Sequence, residues 1–157
     1  MRARYPPSAS PRAIGDHGAS IPFYTQYMAT LNDEILGNLP LFQGLDPEAI
    51  EFMALKMQEI SVPIGGHIVR AGDFAYRFFV IVAGSATVSR GGSPVAGLSQ
   101  GDVFGEMALI EDTRRNADVV AATPMTSLAL MSWDFRDALG RFPEFRQRVE
   151  KVMADRE

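Results

Sequence analysis

The sequence predicts a mainly β fold with flanking helices, built as a double-sheet jelly roll. Three observations carry this. From Gln58 the apolar pattern alternates with period two in short runs, as half-buried strands do. Glycine turns break those runs at intervals of about ten residues, the spacing of a sandwich or barrel. Stripes at helical spacing lie before and after this region.

Residues 1–22 carry Pro6, Pro7, Pro11 and Pro22 among Ser, Ala and Gly. No core-facing period occurs there, so a flexible tail is expected. Arg2, Arg4 and Arg12 make it mildly basic, and a solvated tail is the simpler reading than a partner or membrane-surface contact. Residues 23–45 read as an N-terminal helical segment. Tyr24, Tyr27, Met28, Leu31, Ile35 and Leu39 give one apolar face over Phe23–Leu39. Pro40 should end that helix, and Leu41–Leu45 is a short apolar connector. Residues 46–157 read as the jelly roll with its closing helices. Asp46 is a good N-cap with Pro47 at the first helical position. That helix should run to about Met57, with Ile50, Met53, Ala54 and Met57 facing inward.

The strands follow at Glu59–Val62, His67–Arg70, Phe78–Val82, Ala86–Arg90, Val95–Leu98, Val103–Phe104, Asp118–Ala121 and Ser127–Met131. Between them stand Gly65-Gly66, Gly72-Asp73, Gly84, Gly91-Gly92, Gly101-Asp102 and Thr123-Pro124. Gly-Gly and Gly-Asp supply the positive φ angles of tight turns. Ser132 is placed to cap Trp133–Leu139, with Gly140 as its stop. Pro143 starts Glu144–Arg156, where Phe145, Val149, Val152 and Met153 form an apolar stripe.

A chain of 157 residues is one domain by size. Its 46% hydrophobic and 22% charged residues exclude a disordered chain. A net charge of −4 argues against coating nucleic acid nonspecifically. There is no cysteine, hence no disulfide framework and no thiolate metal site. No apolar run approaches the length that spans a bilayer, and no signal peptide opens the chain, so a cytoplasmic location is expected. The HExxH, GxxxxGK[ST] and GxGxxG signatures are absent. The histidines are His17 in the tail and His67 in a strand. A metal-dependent jelly-roll enzyme needs a His and carboxylate cluster, which one barrel histidine cannot make. No catalysis, metal or cofactor is therefore expected.

Chemistry concentrates in Phe104–Val119. Gly105-Glu106 precedes the run Met107-Ala108-Leu109-Ile110, and Arg114-Arg115 follow a polar turn. This reads as a strand end, one helical turn, a loop and a new strand. Such a turn presents unpaired backbone N–H groups, which suit an anion. Arg115 adds a planar, always-charged fork that matches phosphate. Glu106 accepts only, which suits a sugar hydroxyl.

FGEMAL at 104–109, with Arg115 nine positions after Glu106, resembles the phosphate-binding cassette of cyclic-nucleotide-binding domains. These occur in cAMP-dependent protein kinase regulatory subunits, catabolite activator proteins and cyclic-nucleotide-gated channels. The resemblance runs from about Leu41 to the C-terminus and includes the order Gly72-Asp73, four residues, Phe78-Phe79-Val80-Ile81, then Ala83-Gly84. It implies the cyclic-nucleotide-binding form of the jelly roll. It also implies that Arg115 pairs with exocyclic phosphate oxygens and Glu106 accepts from the ribose 2′-OH. The N–H groups of Gly105, Met107 and Ala108 would line the sugar-phosphate, and Ala108 would matter by smallness. Leu98 and Val95 would wall the base or sugar. Arg114 would face solvent, unless a one-residue slip exchanged it with Arg115.

Two positions depart from the family pattern. Asn116 stands where small residues or Ser/Thr usually follow the arginine, and Asp118 puts a negative charge near an anion site unless it points outward. A Thr at 116 would favour syn guanine in the family, so the resemblance leans to cAMP over cGMP. The family's adenine lid comes from the last helix. Phe145, Val149 and Met153 are candidates for it, and docking on the barrel or pairing with a second subunit would explain the same stripe. The chain as read ends where the family's transcription factors continue into a helix-turn-helix domain, so no DNA-binding domain is expected. The expectation is a standalone cAMP-responsive regulatory module. Its helical ends, Phe23–Leu45 and Glu144–Glu157, would move on binding and meet a partner protein or a second copy. The alternatives are a ligand-free interaction scaffold, with Glu106 and Arg115 paired to each other, and, more distantly, a small metal-dependent cupin-like enzyme.

Overall fold

The computed structural model describes residues 32–111 and 114–156, with the side chains of Met107, Ala108 and Arg156 set aside. The tail at 1–22, His17 and the first part of the helix expected at Phe23–Leu39 lie outside the described residues.

Two four-stranded antiparallel sheets form the body. β1 (Gln58–Val62), β8 (Met125–Met131), β3 (Arg77–Ala83) and β6 (Val103–Phe104) make one sheet in that order. β2 (His67–Val69), β7 (Asp118–Ala121), β4 (Ala86–Arg90) and β5 (Ser93–Leu98) make the other. The eight expected strands are all present, with ends that move by one or two residues. β5 starts two residues early and takes in Pro94. It pairs with β4 alone, and an edge strand tolerates a proline that a central one would not.

The run Phe78-Phe79-Val80-Ile81 does not alternate in polarity because both faces of β3 are buried. Phe79 and Ile81 join Ala129, Val69, Ala86, Leu98, Val119 and Ala121 in a core between the sheets. Phe78 and Val80 join Leu128 and Leu130 in a second core against the helices. Phe79 stacks on Phe104 of the neighbouring strand at 4.7 Å between ring centres.

The helices close the second core. α1, helical at 32–37, ends before Pro40 in tight turns that return Asn38 N–H to Ile35 O and Leu39 N–H to Leu36 O. The connector is itself core, with Leu41, Phe42 and Leu45 buried. α2 (Pro47–Lys56) is capped as its sequence predicts, since Asp46 Oδ1 accepts the Glu48 N–H at 2.9 Å. α3 (Glu106–Glu111) sits between β6 and β7. α4 (Ser132–Arg141) corrects the expected boundaries. Its cap is Met131, without a side-chain cap bond, and Gly140 lies inside it. β8 runs directly into the helix, and the Ser132 N–H bonds Tyr76 O at 2.7 Å. The stop comes from Pro143, which holds Phe142 out of the helical region at φ −124°, ψ 91°.

α5 (Pro143–Arg156) returns to the start of the fold. Phe145 stacks on Phe42 at 5.9 Å and meets Phe78 and Phe135 edge-on at 6.4 and 6.2 Å. Arg148 donates through Nη1 to Leu41 O and Gln43 O at 3.0 and 2.7 Å, and through Nη2 to Glu144 at 2.8 Å. Among the described residues no helix is long and apolar enough to cross a membrane.

Candidate functional site

Gly105 makes the turn from β6 into α3 at φ +92°, a region costly for any residue with a Cβ. A Cβ there would lie 2.9 Å from both Arg115 Nη1 and Arg77 O. The glycine therefore lets the turn close over the arginine. Glu106 opens α3 and is 1% exposed.

Arg115 reaches the same place from the other side. Its N–H bonds Asp73 O and its carbonyl accepts the Gly72 N–H, both at 2.9 Å. This short ladder sets which of the two arginines faces in. Arg115 is 8% exposed. It donates through Nη1 to Gly105 O at 3.0 Å and through Nη2 to Arg77 O at 2.5 Å. Its guanidinium lies 5.8 Å from the Phe79 ring centre. Burial lowers its pKa from the ordinary guanidinium range, and the nearby Glu106 carboxylate opposes that shift. Arg114 is exposed; it donates to Gly72 O at 2.7 Å and lies 4.0 Å over the Phe74 ring.

Both groups open onto one cavity of about 300 Å³. Six of the residues singled out in sequence line it: Val95, Leu98, Gly105, Glu106, Arg115 and Asn116. Met107 and Ala108 occupy the first turn of α3, and their side chains lie outside the described residues. Asp118 turns away, with its Oδ1 accepting the Ala71 N–H at 2.9 Å, while its neighbour Ala117 lines the cavity. Sequence reading missed Val69, Val88, Arg90, Ala96, Phe104, Ala117 and Val119 in the wall. Stepping by two from known positions would have found several: Leu98 to Ala96, and Arg115 to Ala117 and Val119.

The lid candidates lie elsewhere. Phe145 and Val149 are buried in the helical core and Met153 packs against it, so the stripe docks on the barrel. His67 is exposed on β2. Among the described residues no cluster of three or more His, Cys, Asp or Glu could hold a metal ion.

The family model described as "Cyclic nucleotide-binding domain" matches residues 59–142. A cyclic nucleotide-gated potassium channel of Rhizobium etli is 35% identical over 125 residues, covering 80% of this chain and 35% of the channel. A cAMP-dependent protein kinase regulatory subunit of Neurospora crassa is 30% identical over 125 residues, covering 78% of this chain and 32% of the subunit. The chain thus spans about a third of the length of these relatives. The solved regulatory domain of Toxoplasma gondii protein kinase A with cAMP superposes with a TM-score of 0.74 at 24% identity. It covers 83% of this chain and 51% of that one, and shares the fold.

Proposed function

The chain belongs to the cyclic nucleotide-binding domain family, and on that premise we propose that it is a regulatory sensor of a cyclic purine nucleotide, cAMP first, that acts on a partner protein. The observation that carries the reading is the convergence of Glu106 and Arg115 on one cavity, with the Gly105 turn between them. Arg115 would hold the phosphate and Glu106 the ribose hydroxyl. Leu98, Val95 and Asn116 would meet the sugar and base. The role is binding, not catalysis.

Arg115 pairs well with a phosphate because burial has already stripped water from the guanidinium. It commits two N–H groups to backbone carbonyls, and a guanidinium has five. A ligand can therefore add bonds without breaking those. Movement at the α3 turn has a route outward, since Arg136 Nη2 donates to Leu109 O at 2.8 Å and joins α3 to α4. The switch is a population shift, and its size is the ligand's differential affinity for the two states. The connector at 41–45 and α5 form the output surface.

Thermal denaturation with cAMP, cGMP and their linear monophosphates tests the reading. A ligand at a hundredfold excess over Kd adds about 2.7 kcal/mol, so the cyclic forms should raise Tm by several degrees and the linear forms should not. Hydrogen exchange in α4 and α5 should slow with ligand; unchanged exchange would remove the output half of the proposal.

A second reading keeps the fold and discards the ligand. It is favoured by the way Arg115 already satisfies Gly105 O and Arg77 O. That scaffold would show no thermal shift with any cyclic nucleotide.

A further inference from the structure

The cavity holds a second guanidinium. Arg90 ends β4 and lines the same wall as Val88, two residues before it on the same strand face. β4 and β5 pair as Val88↔Ala96, Ser89↔Pro94 and Arg90↔Ser93, with a bulge that leaves Val95 as the extra residue. β4 and β7 pair as Val88↔Val119 and Ser89↔Asp118, which sets Arg90 beside Ala117 when the register is continued. Arg90 therefore stands at the hairpin end of an apolar strip made by Val88, Val95, Ala96 and Leu98. Among the described residues its side chain has no hydrogen-bond, ion-pair or ring partner, whereas that of Arg115 is tied to two carbonyls.

This inference rests on the cyclic-nucleotide reading and deepens it. With the phosphate at Arg115 and the ribose at Glu106, the apolar strip remains for the flat face of the base. Arg90 then meets the edge of that base. A guanidinium offers donors only. Guanine and hypoxanthine present two acceptors along one edge, O6 and N7, which a guanidinium matches with two parallel bonds. Adenine presents N7 beside the N6 amino group, so one donor of Arg90 faces another. We propose that Arg90 is the base-reading residue of this cavity and that it admits 6-oxo purines beside adenine.

The experiment is calorimetric titration of the whole chain with cAMP, cGMP and cyclic inosine monophosphate. The inosine nucleotide has O6 and N7 but no 2-amino group, so it isolates the edge assigned to Arg90 from anything Asn116 contributes. The wild-type protein should bind both 6-oxo nucleotides within about tenfold of cAMP. Arg90→Ala should weaken both by about tenfold and cAMP by less than about threefold. Arg90→Gln should move the ratio further toward cAMP, because an amide can donate to N7 and accept from N6. Arg90→Lys keeps the charge without the fork and should behave like Arg90→Ala. Equal weakening of all three ligands would place Arg90 on the phosphate and overturn the proposal, as would unchanged ratios across the variants. Failure of the wild-type protein to bind any of the three would overturn the cyclic-nucleotide reading as well, and the two failures are thereby told apart. Arg90 is exposed at a strand end, and a ligand-free melt confirms that each variant folds.

Discussion

Replacing Arg115 by alanine tests the site at its centre. Arg115 is 8% exposed, and its guanidinium has three N–H groups left after its bonds to Gly105 O and Arg77 O. A bound phosphate would take two of them. Each charge-assisted bond is worth about 1.5–3 kcal/mol net, so the loss is at least about 3 kcal/mol. At 1.4 kcal/mol per decade that is more than about a hundredfold in Kd. Calorimetry with cAMP reads it directly, after a ligand-free melt has confirmed the fold of the variant. Arg115→Lys separates charge from shape; it keeps one and loses the other, and should fall between the two. A folded Arg115→Ala protein that binds cAMP within about threefold of wild type would refute the assignment of this residue to the phosphate.

Gly105→Ala should damage the fold and the site together. Its Cβ would sit 2.9 Å from Arg115 Nη1 and Arg77 O at φ +92°, so denaturant titration should show a loss of about 1–3 kcal/mol and calorimetry a weaker ligand. Asp118→Ala should cost about 1 kcal/mol by releasing the Ala71 N–H and leave Kd unchanged, because the carboxylate faces away from the cavity. Phe145→Ala should cost about 3–5 kcal/mol, since the ring is fully buried among Phe42, Phe78 and Phe135. A loss of affinity without a loss of stability there would instead identify Phe145 as a lid.

The strands were legible because the glycine turns isolate them and because β1 keeps one exposed side, with Glu59 and Ser61 on it. The α2 cap was legible because Asp46-Pro47 is a purely local signal. The ends of α4 were not. Ser132 looks like a cap, but β8 occupies the chain up to Met131 and Tyr76 O claims the Ser132 N–H. Such a constraint comes from the residue that precedes β3, more than fifty positions away. The cassette was readable because its residues are unusual in type: a glycine, a carboxylate and a guanidinium at fixed spacing. The rest of the wall was not, because Val88, Ala96 and Val119 look like any core residue of a strand. Arg90 was invisible for the opposite reason, since an arginine beside a Gly-Gly turn reads as surface. The stripe on α5 was seen correctly as a stripe, but period alone cannot say whether it faces nucleotide, subunit or barrel.

β3 touches the cavity-side core through Phe79 and Ile81 and the helix-side core through Phe78 and Val80. The same four peptide units thus serve as the shared partition of two compartments. Loosening either compartment unpacks one side of that partition, so a single cooperative melt is the expected outcome. A ligand that stiffens the chamber between the sheets should then slow hydrogen exchange around the aromatic cluster on the far face, even where mean positions stay the same.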